Sequence, residues 1–389
     1  MPDPVINKKL IRITTVPMAL CYLLPGQMQF MAANGFNVIM ISANGKELQT
    51  VIENEKCRHI IVPMTRKITP FRDLQCLIQL IRIFRKEKPG IVHTHTPKAG
   101  LLGMLAARYC GIKVRIHTVA GLPMMVKKGL KYQLLKIAEK ITYAAANHVW
   151  PNSNSLLQFI TKHHLTNSKK LKIIAKGSTN GIDLNRFSVE ALDEKITAAI
   201  KTKINYLPQN KYLLCIGRLV ADKGIVQLIN VFKILQKTEP TWQLILVGEY
   251  ENSLDPLPVA TIKEIENNRA ITQIDWTNEV EYYMKMADFF IFPSRREGFP
   301  NVLLQAGAMA LPIICSRIAG NVDIVTPNET GLIFEDGNEQ QMLALIQFAI
   351  NNPQQVQRMA INLKQIISEN YRRENIWKNI LAAYKSSLH

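Results

Sequence analysis

The chain has 389 residues, of which 47% are hydrophobic and 20% charged, so its length fits about two globular domains and its composition excludes a disordered chain. The net charge of +18 belongs to the first half, because residues 1–189 carry 28 Lys and Arg against 8 Asp and Glu, while residues 190–389 carry 20 against 22. This asymmetry predicts an anionic lipid or phosphate partner, since no recognition helix, zinc finger or aromatic RNA-binding signature indicates nucleic acid.

The first half alternates short apolar runs with longer amphipathic segments. Runs near residues 10–15, 36–42, 59–63, 90–94, 113–118 and 147–151 predict strands, and "DLQCLIQLIRIFRKEKP" shows helical periodicity. Lys8, Lys9 and Arg12 precede "ITTVPMALCYLLPG", which loosely resembles a secretion signal. We interpret this stretch as a first buried strand, because Pro17 interrupts it and no small-residue cleavage site follows. Six scattered cysteines without a C-x-x-C pair indicate reduced thiols in a cytoplasmic protein.

The pattern restarts after residue 206. There "KYLLCIG", "WQLILVG", "AITQID", "ADFFIFP" and "LPIICS" read as buried parallel strands. Alternation of strands and helices in both halves predicts an α/β protein with two doubly wound domains, at residues 1–190 and 191–370. Residues 371–389 contain "RRENIWKNILAAYKSSLH", an amphipathic helix with Ile376, Trp377, Ile380, Leu381 and Tyr384 on one side.

Two strand ends of the second half carry residues suited to a phosphorylated ligand. Arg218 and Lys223 follow "LLCIG", and two cations on one loop suit a diphosphate, although a solvated surface pair remains an alternative. In "SRREGFPNVLLQ" a helix beginning near Asn301 offers free amides to an anion, with Gly298 and Pro300 shaping the preceding loop. A carboxylate beside that anion, Glu297, is placed to hydrogen-bond neutral hydroxyls such as those of a sugar.

The first half offers weaker candidates. His93 and His95 share one face of a strand end, but a metal site needs a third ligand that the sequence does not show, and no Asp-x-Asp pair is present. Lys98 begins a helix and either meets a phosphorylated acceptor or is solvated. Met124 and Met125 stand beside Lys127 and Lys128, a mixture that suits a bilayer interface or an ordinary half-buried helix.

These motifs together resemble a known family. The Arg-x4-Lys spacing and "EGFPNVLLQAGAMALPIICS" are similar to family-four retaining glycosyltransferases of the GT-B fold, and "HTHTPKAGLLGMLAA", "HTVAGLP" and "KGSTNGID" resemble bacterial members that build capsule, exopolysaccharide and O-antigen units. The resemblance covers essentially the whole chain. It implies two Rossmann-like domains that face each other across a cleft, the first binding the acceptor and the second the nucleotide sugar, with a C-terminal helix packing back on the first domain.

The resemblance also implies roles for individual residues. Arg218 and Lys223 match the diphosphate-binding pair, and Glu297 matches the acid that holds hydroxyls of the donor sugar. His117 stands where the family often has a histidine facing the reacting sugar. The remaining implied donor contacts are Gly26, in a loop that covers the donor, and Gly298, Phe299, Asn301, Val302 and Gln305. The last residue departs from the family, whose ribose-binding acid at this position is here an amide that still forms hydrogen bonds without the charge.

The resemblance implies a retaining enzyme on the inner face of the plasma membrane. It is expected to transfer a hexosyl or N-acetylhexosaminyl group from a nucleotide diphosphate sugar, UDP-linked, to a polyprenyl-diphosphate-linked glycan, at an anionic membrane surface and without metal or cofactor. Three alternatives remain open at this point. They are a GT-B enzyme related to nucleotide-sugar epimerases, an inactive glycan-assembly scaffold motivated by Gln305, and nucleic-acid binding through the basic half.

Overall fold

A computed structural model describes residues 7–126, 128–251 and 255–388, which form two units with one parallel six-stranded sheet each. The first unit contains the chain up to Gly181 and the segment from Arg373 onward, and the second is Ile182–Arg372. The boundary therefore precedes the expected residue 190. The reason is that the Ile182 amide already donates to the Tyr371 carbonyl at 2.8 Å, and Phe187 is buried in the second unit's core.

The first unit confirms the six predicted strands. They are β1 (Lys9–Ile13), β2 (Asn37–Ser42), β3 (Arg58–Ile61), β4 (Ile91–His95), β5 (Val114–Val119) and β6 (His148–Pro151). The sheet order is β3-β2-β1-β4-β5-β6, with Ile11 of β1 in register with Ile39 on one side and Val92 on the other. Strands β1, β4 and β5 are buried along nearly their whole length, as expected when helices cover both faces of a parallel sheet.

Helices connect these strands and cover both faces of the sheet. They are α1 (Pro17–Leu23), α2 (Gln27–Ala33), α3 (Leu48–Glu55), α4 (Pro70–Glu87), α5 (Pro97–Tyr109), α6 (Gly129–Ala145) and α7 (Asn154–Lys162). Helices α4, α5 and α6 belong to crossovers that advance in one direction along the sheet, so right-handed connections place them on the same face. Their buried sides meet in one core cluster with the strands.

The second unit repeats the architecture. Its strands are β7 (Lys211–Ile216), β8 (Trp242–Val247), β9 (Ile271–Ile274), β10 (Phe289–Phe292), β11 (Ile313–Arg317) and β12 (Leu332–Glu335), in the order β12-β11-β10-β7-β8-β9. Its helices are α8 (Glu194–Lys203), α9 (Ile225–Thr238), α10 (Val259–Asn267), α11 (Val280–Met286), α12 (Asn301–Ala308), α13 (Glu339–Asn351) and α14 (Pro353–Asn370). The sequence patterns predicted the first five strands and missed β12, a four-residue strand at the edge of the sheet.

The predicted amphipathic C-terminal helix is confirmed as α15 (Arg373–Leu388), and it packs on the first unit. Its residues Ile376, Ile380, Leu381 and Tyr384 join the core cluster that contains strand residues such as Leu10 and Ile116. Within the described residues, no helix combines the length and apolar character needed to cross a bilayer.

A buried polar network ties α15 to the first sheet. The Tyr384 hydroxyl accepts from the Arg12 guanidinium and lies 2.5 Å from Nδ1 of His93, whose Nε2 lies 2.7 Å from the Thr118 hydroxyl. A second guanidinium nitrogen of Arg12 donates to Gln27 Oε1 at 2.6 Å. Arg12 and Tyr384 are fully buried, so their mutual contact satisfies groups that water does not reach.

We expect Tyr384→Phe to lower the free energy of unfolding of the first unit by about 1–3 kcal/mol, because it leaves a buried Arg12 donor and Nδ1 of His93 without their shared hydrogen-bond partner. Urea denaturation followed by circular dichroism measures this change. Tyr109→Phe is the control, since that side chain is 67% exposed, and it should be nearly neutral. Equal effects of the two substitutions would contradict the stabilising role of the network.

Candidate functional site

The candidate anion-binding residues of the second unit follow the two strands at its topological switch point. From β7 the chain proceeds to β8 and β9 on one side, whereas β10, β11 and β12 lie on the other, and β7 and β10 are neighbours. Arg218 and Lys223 follow β7, and Glu297 follows β10. Ligands of open α/β sheets bind outside the carboxyl ends of the strands at such a point.

Lys223 and Glu297 form an ion pair. The ammonium of Lys223 contacts Oε1 of Glu297, and each side chain remains 17% exposed. The hydroxyl of Ser294 donates to the same carboxylate oxygen at 2.8 Å and is fully buried. The hydroxyl of Ser316 donates in turn to the Ser294 carbonyl. Buried hydroxyls therefore fix a carboxylate beside a cation. The role of Ser294 was not predicted from the sequence, although the residue lies only three positions before Glu297.

Arg218 has a different partner. Its guanidinium contacts the carboxylate of Glu251, and the arginine side chain is 49% exposed. An exposed ion pair of this kind contributes about 0–1 kcal/mol, so an incoming anion can replace the carboxylate at little cost. In this structure each of the two expected diphosphate-binding cations thus has a carboxylate neighbour.

The loops after β7 and β10 are braced against each other. Gly224, at φ +71°, lies so close to the end of β10 that a Cβ there would come within 2.1 Å of the Pro293 carbonyl oxygen. The Asp222 carboxylate accepts from Arg296 at 2.9 Å, and its carbonyl accepts from the Arg295 amide at 2.9 Å. These contacts, which the sequence did not predict, hold Lys223 and Glu297 at a constant separation.

Helix α12 begins beside this pair, as the sequence predicted. No side chain caps its first turn, and the turn contains no acidic residue. Asn301, Val302 and Gln305 are half-buried on the helix. Gly320 covers the carbonyl of Gly298. A Cβ on Gly320 would lie 2.7 Å from that carbonyl oxygen, and the φ of +87° at Gly320 also favours glycine.

Phe299 lies inward from this helix start. It is 7% exposed, and its ring centroid lies 5.5 Å from that of Tyr371. We therefore interpret Phe299 as a packing residue that holds the loop, with Glu297 before it and the first turn of α12 after it.

Gly26 lies in the loop of the first unit that leads into α2. It precedes α2 with a φ of +77°, and its amide donates to Glu55 Oε1 at 2.5 Å. The other oxygen of the Glu55 carboxylate accepts from the amides of Met28 and Gln29, both at 3.0 Å. A Cβ on Gly26 would come within 2.8 Å of the Trp377 ring. These contacts explain why a glycine stands here, and the expected place of Gly26 in a loop that covers the donor stays a prediction.

His117 lies inside β5, two residues before the strand ends at Val119, and not at the strand end as expected. Its side chain is 3% exposed, Nδ1 lies 2.8 Å from the Thr94 hydroxyl, and the ring abuts Gly100 of α5. Burial lowers the pKa of His117 to about 4, so the imidazole is neutral near pH 7. This position supports packing between the sheet and α5 and gives no support to contact with a sugar.

His93 and His95 are stacked with ring centroids 4.4 Å apart, and both are buried. Burial, reinforced by the nearby Arg12, holds the pKa of both imidazoles well below the usual value. His93 belongs to the Tyr384 network. The part of the chain that the structure describes contains no cluster of three or more His, Cys, Asp or Glu side chains that could hold a metal ion.

Lys98 is fixed by protein contacts. Its ammonium forms a salt bridge with Asp73 at 2.7 Å and also reaches the Lys67 carbonyl and the hydroxyls of Thr65 and Thr69. These contacts fasten the segment before α4 to the start of α5. They favour a supporting role over the alternatives of a solvated lysine or a phosphate ligand.

The expected membrane segment is placed only in part. Met124 is 1% exposed and belongs to the core, and Met125 packs against the same cluster. This packing favours the ordinary half-buried alternative over a bilayer interface for the two methionines, which lie in the short 3₁₀ turn Pro123–Val126. Lys128 is exposed, while Lys127 lies outside the described residues.

Family models match both halves of the chain. The model described as "Glycosyl transferases group 1" matches residues 197–366, and the model described as "Glycosyl transferase 4-like" matches residues 18–153. The first match contains Arg218, Lys223, Glu297 and α12.

Curated relatives extend this similarity to nearly the full length. The capsular polysaccharide biosynthesis glycosyltransferase CapM of Staphylococcus aureus is 33% identical over 386 residues, covering 98% of each chain. An Escherichia coli protein, named as the UDP-Gal:alpha-D-GlcNAc-diphosphoundecaprenol alpha-1,3-galactosyltransferase, is 26% identical over 77% of this chain and 76% of its own. Among solved structures, Anabaena Alr3699/HepE in complex with UDP and glucose superposes with a TM-score of 0.80 at 16% identity, covering 97% of this chain and all of the other, which supports the fold.

Proposed function

This chain belongs to the group 1 and 4-like glycosyltransferases, and on that premise we propose that it moves a sugar, with retention, from a UDP-sugar to a polyprenyl-diphosphate-linked glycan. The family membership makes the protein a GT-B glycosyltransferase of polysaccharide synthesis. The donor nucleotide, the stereochemistry and the acceptor are the proposed part. Support for the acceptor comes from the named substrate of the Escherichia coli relative, a diphosphoundecaprenol-linked sugar.

The observation that carries the proposal is the Lys223–Glu297 pair beside the uncapped first turn of α12. A departing nucleoside diphosphate gains negative charge as the glycosidic bond breaks, and Lys223, Arg218 and the helix amides can stabilise that charge. Glu297 then holds hydroxyls of the sugar next to the phosphate. Positive side chains here take the place of a metal ion at the diphosphate, so we propose that transfer needs no metal.

We infer that retention proceeds by front-side attack. The acceptor hydroxyl approaches the anomeric carbon on the side of the leaving diphosphate, whose oxygen accepts the hydroxyl proton. The new glycosidic bond forms as the bond between the anomeric carbon and the oxygen of the leaving diphosphate breaks. The role of the enzyme in this scheme is mainly positioning and charge stabilisation.

The proposed enzyme works on the inner face of the plasma membrane, where a polyprenyl-linked substrate and the nucleotide donor meet. The 28 Lys and Arg against 8 Asp and Glu of residues 1–189 support an anionic lipid surface as its surroundings.

Transfer by the purified protein tests the proposal directly. UDP- and GDP-sugars are offered with a short-chain polyprenyl-diphosphate glycan in the presence of EDTA, and the anomeric configuration of the product is read by NMR. Product from a UDP-sugar with retained configuration supports the proposal. Four outcomes would each count against the proposal. They are inversion of the anomeric configuration, a requirement for added metal, epimerisation of the nucleotide sugar without transfer, and absence of any turnover.

Gln305→Ala should weaken UDP binding by about 0.5–1.5 kcal/mol, the contribution of one neutral hydrogen bond to the ribose, while turnover at saturating donor stays near normal. Gln305→Glu is the matched variant, and the charge-assisted bond of its carboxylate should tighten binding. Calorimetric titration with UDP measures both changes. Lost turnover with unchanged UDP affinity in Gln305→Ala would show that the residue acts elsewhere.

A further inference from the structure

Helix α6 carries an exposed apolar stripe. Leu130, Leu134, Ile137 and Ile141 recur at three- and four-residue intervals and are 86%, 52%, 55% and 41% exposed. The opposite side of the helix is buried at Glu139, Thr142 and Tyr143. An uncovered stripe of four large aliphatic side chains exceeds the single exposed residues that are ordinary on a protein surface.

The charges beside this stripe are all positive. Lys131 and Lys140 are exposed and lie, by helical geometry, on opposite flanks of the stripe. The single carboxylate of α6, Glu139, is 6% exposed on the buried side, and burial raises its pKa to about 7. An apolar stripe with lysines on both flanks is the pattern of a helix that lies in a bilayer interface.

A second stripe lies on α4, in the same helical layer. Phe71, Leu74 and Ile78 are 89%, 56% and 42% exposed, and they share one side of the helix with Arg82 and Arg85. Helix α5 packs between α4 and α6, and the Arg85 guanidinium lies 5.4 Å from the ring centroid of Tyr109 at the end of α5. The layer formed by these three helices therefore presents aliphatic, aromatic and cationic groups together.

The carboxylates of this layer do not offset its positive charge. Asp73 is paired with Lys98, and Glu87 is paired with both Lys9 and Arg58. Helix α5 contains no acidic residue. The surface is thus complementary to anionic lipid headgroups, and its apolar side chains have the acyl boundary as a partner.

We propose that the α4/α6 face, defined by Phe71, Leu74 and Ile78 of α4 and Leu130, Leu134, Ile137 and Ile141 of α6, docks on an anionic lipid bilayer. The choice of a membrane rests on the proposed function, in which the acceptor is embedded in lipid. The surface replaces Met124, which is buried, and Met125, which is half-buried against the same core cluster, as the apolar part of the membrane contact. A second copy of the chain is the competing occupant of the same stripe.

Co-sedimentation of the full chain with vesicles tests the docking without any sugar donor. The protein should bind equimolar phosphatidylglycerol and phosphatidylcholine vesicles, release with rising salt, and bind pure phosphatidylcholine weakly. Leu134→Glu/Ile137→Glu should lower binding at least tenfold. Lys131→Gln/Lys140→Gln should lower binding to the anionic vesicles about thirtyfold, because each lysine near an anionic surface contributes about a fivefold gain in binding.

The control is Ile361→Glu/Ile366→Glu, because those side chains are 54% and 39% exposed on α14 of the second unit. This variant should bind vesicles within about twofold of the unchanged protein. Circular dichroism checks that all three variants fold, and the lysine variant tests the proposal even if the glutamates disturb α6. Vesicle binding that is insensitive to both the α6 and the lysine substitutions overturns the proposal. So does a dimer that Leu134→Glu/Ile137→Glu dissociates while vesicle binding persists.

Transfer to a short-chain, water-soluble acceptor separates this proposal from the proposed function. Leu134→Glu/Ile137→Glu should retain that activity and lose activity toward an acceptor embedded in vesicles. Failure of transfer in the unchanged protein would refute the proposed function and leave the vesicle result standing. Retained activity of this variant toward the embedded acceptor would refute the docking face alone.

Discussion

Glu297→Ala is expected to lower turnover at least about a hundredfold while UDP binds as well as before or more tightly. In the proposed function the carboxylate holds donor-sugar hydroxyls, and losing one such positioned contact in a transition state costs about 10²–10³ in rate. The same substitution removes the anion that neutralises Lys223, so the ammonium is left free for the diphosphate. Steady-state turnover and calorimetric UDP binding measure the two effects separately.

Glu297→Gln is the matched variant for this prediction. It keeps the size of the side chain and an oxygen that can accept from Ser294, but it lacks the charge. Its turnover should lie between those of the unchanged protein and Glu297→Ala. Normal turnover of Glu297→Ala would remove this residue from the reacting site, and loss of UDP binding in that variant would reassign it to the nucleotide.

Lys223→Ala should reduce turnover at least about tenfold and weaken UDP binding, because in the proposed function the ammonium stabilises the diphosphate both when it is bound and when it leaves. Arg218→Ala should act in the same direction. The effect is expected to fall on kcat and on UDP affinity together, in contrast to Glu297→Ala. Turnover and titration with UDP distinguish the two patterns.

Lys211→Ala supplies the control for Lys223→Ala. Lys211 begins β7, at the end of the strand opposite to Arg218, and it pairs with Asp288 at 3.0 Å. A general effect of removing positive charge from the second unit would appear in both variants. Near-normal turnover in Lys223→Ala and Arg218→Ala, or an equal loss in Lys211→Ala, would refute the diphosphate assignment.

Strand positions were predictable because parallel strands covered on both faces leave continuous apolar runs. In such a continuous apolar run, the sequence does not show on which face of the sheet a given side chain lies. Five of the six residues of β5 are buried, so no alternation in "VRIHTV" distinguishes the sheet interior from an accessible strand end. His117 was therefore expected at a ligand and lies against Gly100.

The residues around Glu297 show a second limit of the sequence. Arg-x4-Lys and "EGFPN" were recognisable as local patterns, whereas Asp222, Arg296 and Ser316 act through contacts between segments that are far apart in the chain. Similarly, a methionine beside lysines in the sequence suggests a membrane interface for Met124. Only the structure shows that Met124 lies in a short 3₁₀ turn and is buried in the core. The exposed stripe of α6 has the spacing of a buried one, and only its exposure in the structure separates the two cases.

The return of α15 to the first unit affects the order in which the protein can fold during synthesis. The ribosome synthesises all of Ile182–Arg372 before it reaches Tyr384. Until then, Arg12 lacks the Tyr384 hydroxyl as its hydrogen-bond partner. The second unit is one continuous segment and can fold as soon as it is synthesised. The first unit was translated earlier, but it cannot complete its fold until α15 is made. A premature stop within α15 should consequently damage the first unit, leaving an intact second unit attached to a protease-sensitive, aggregation-prone N-terminal half.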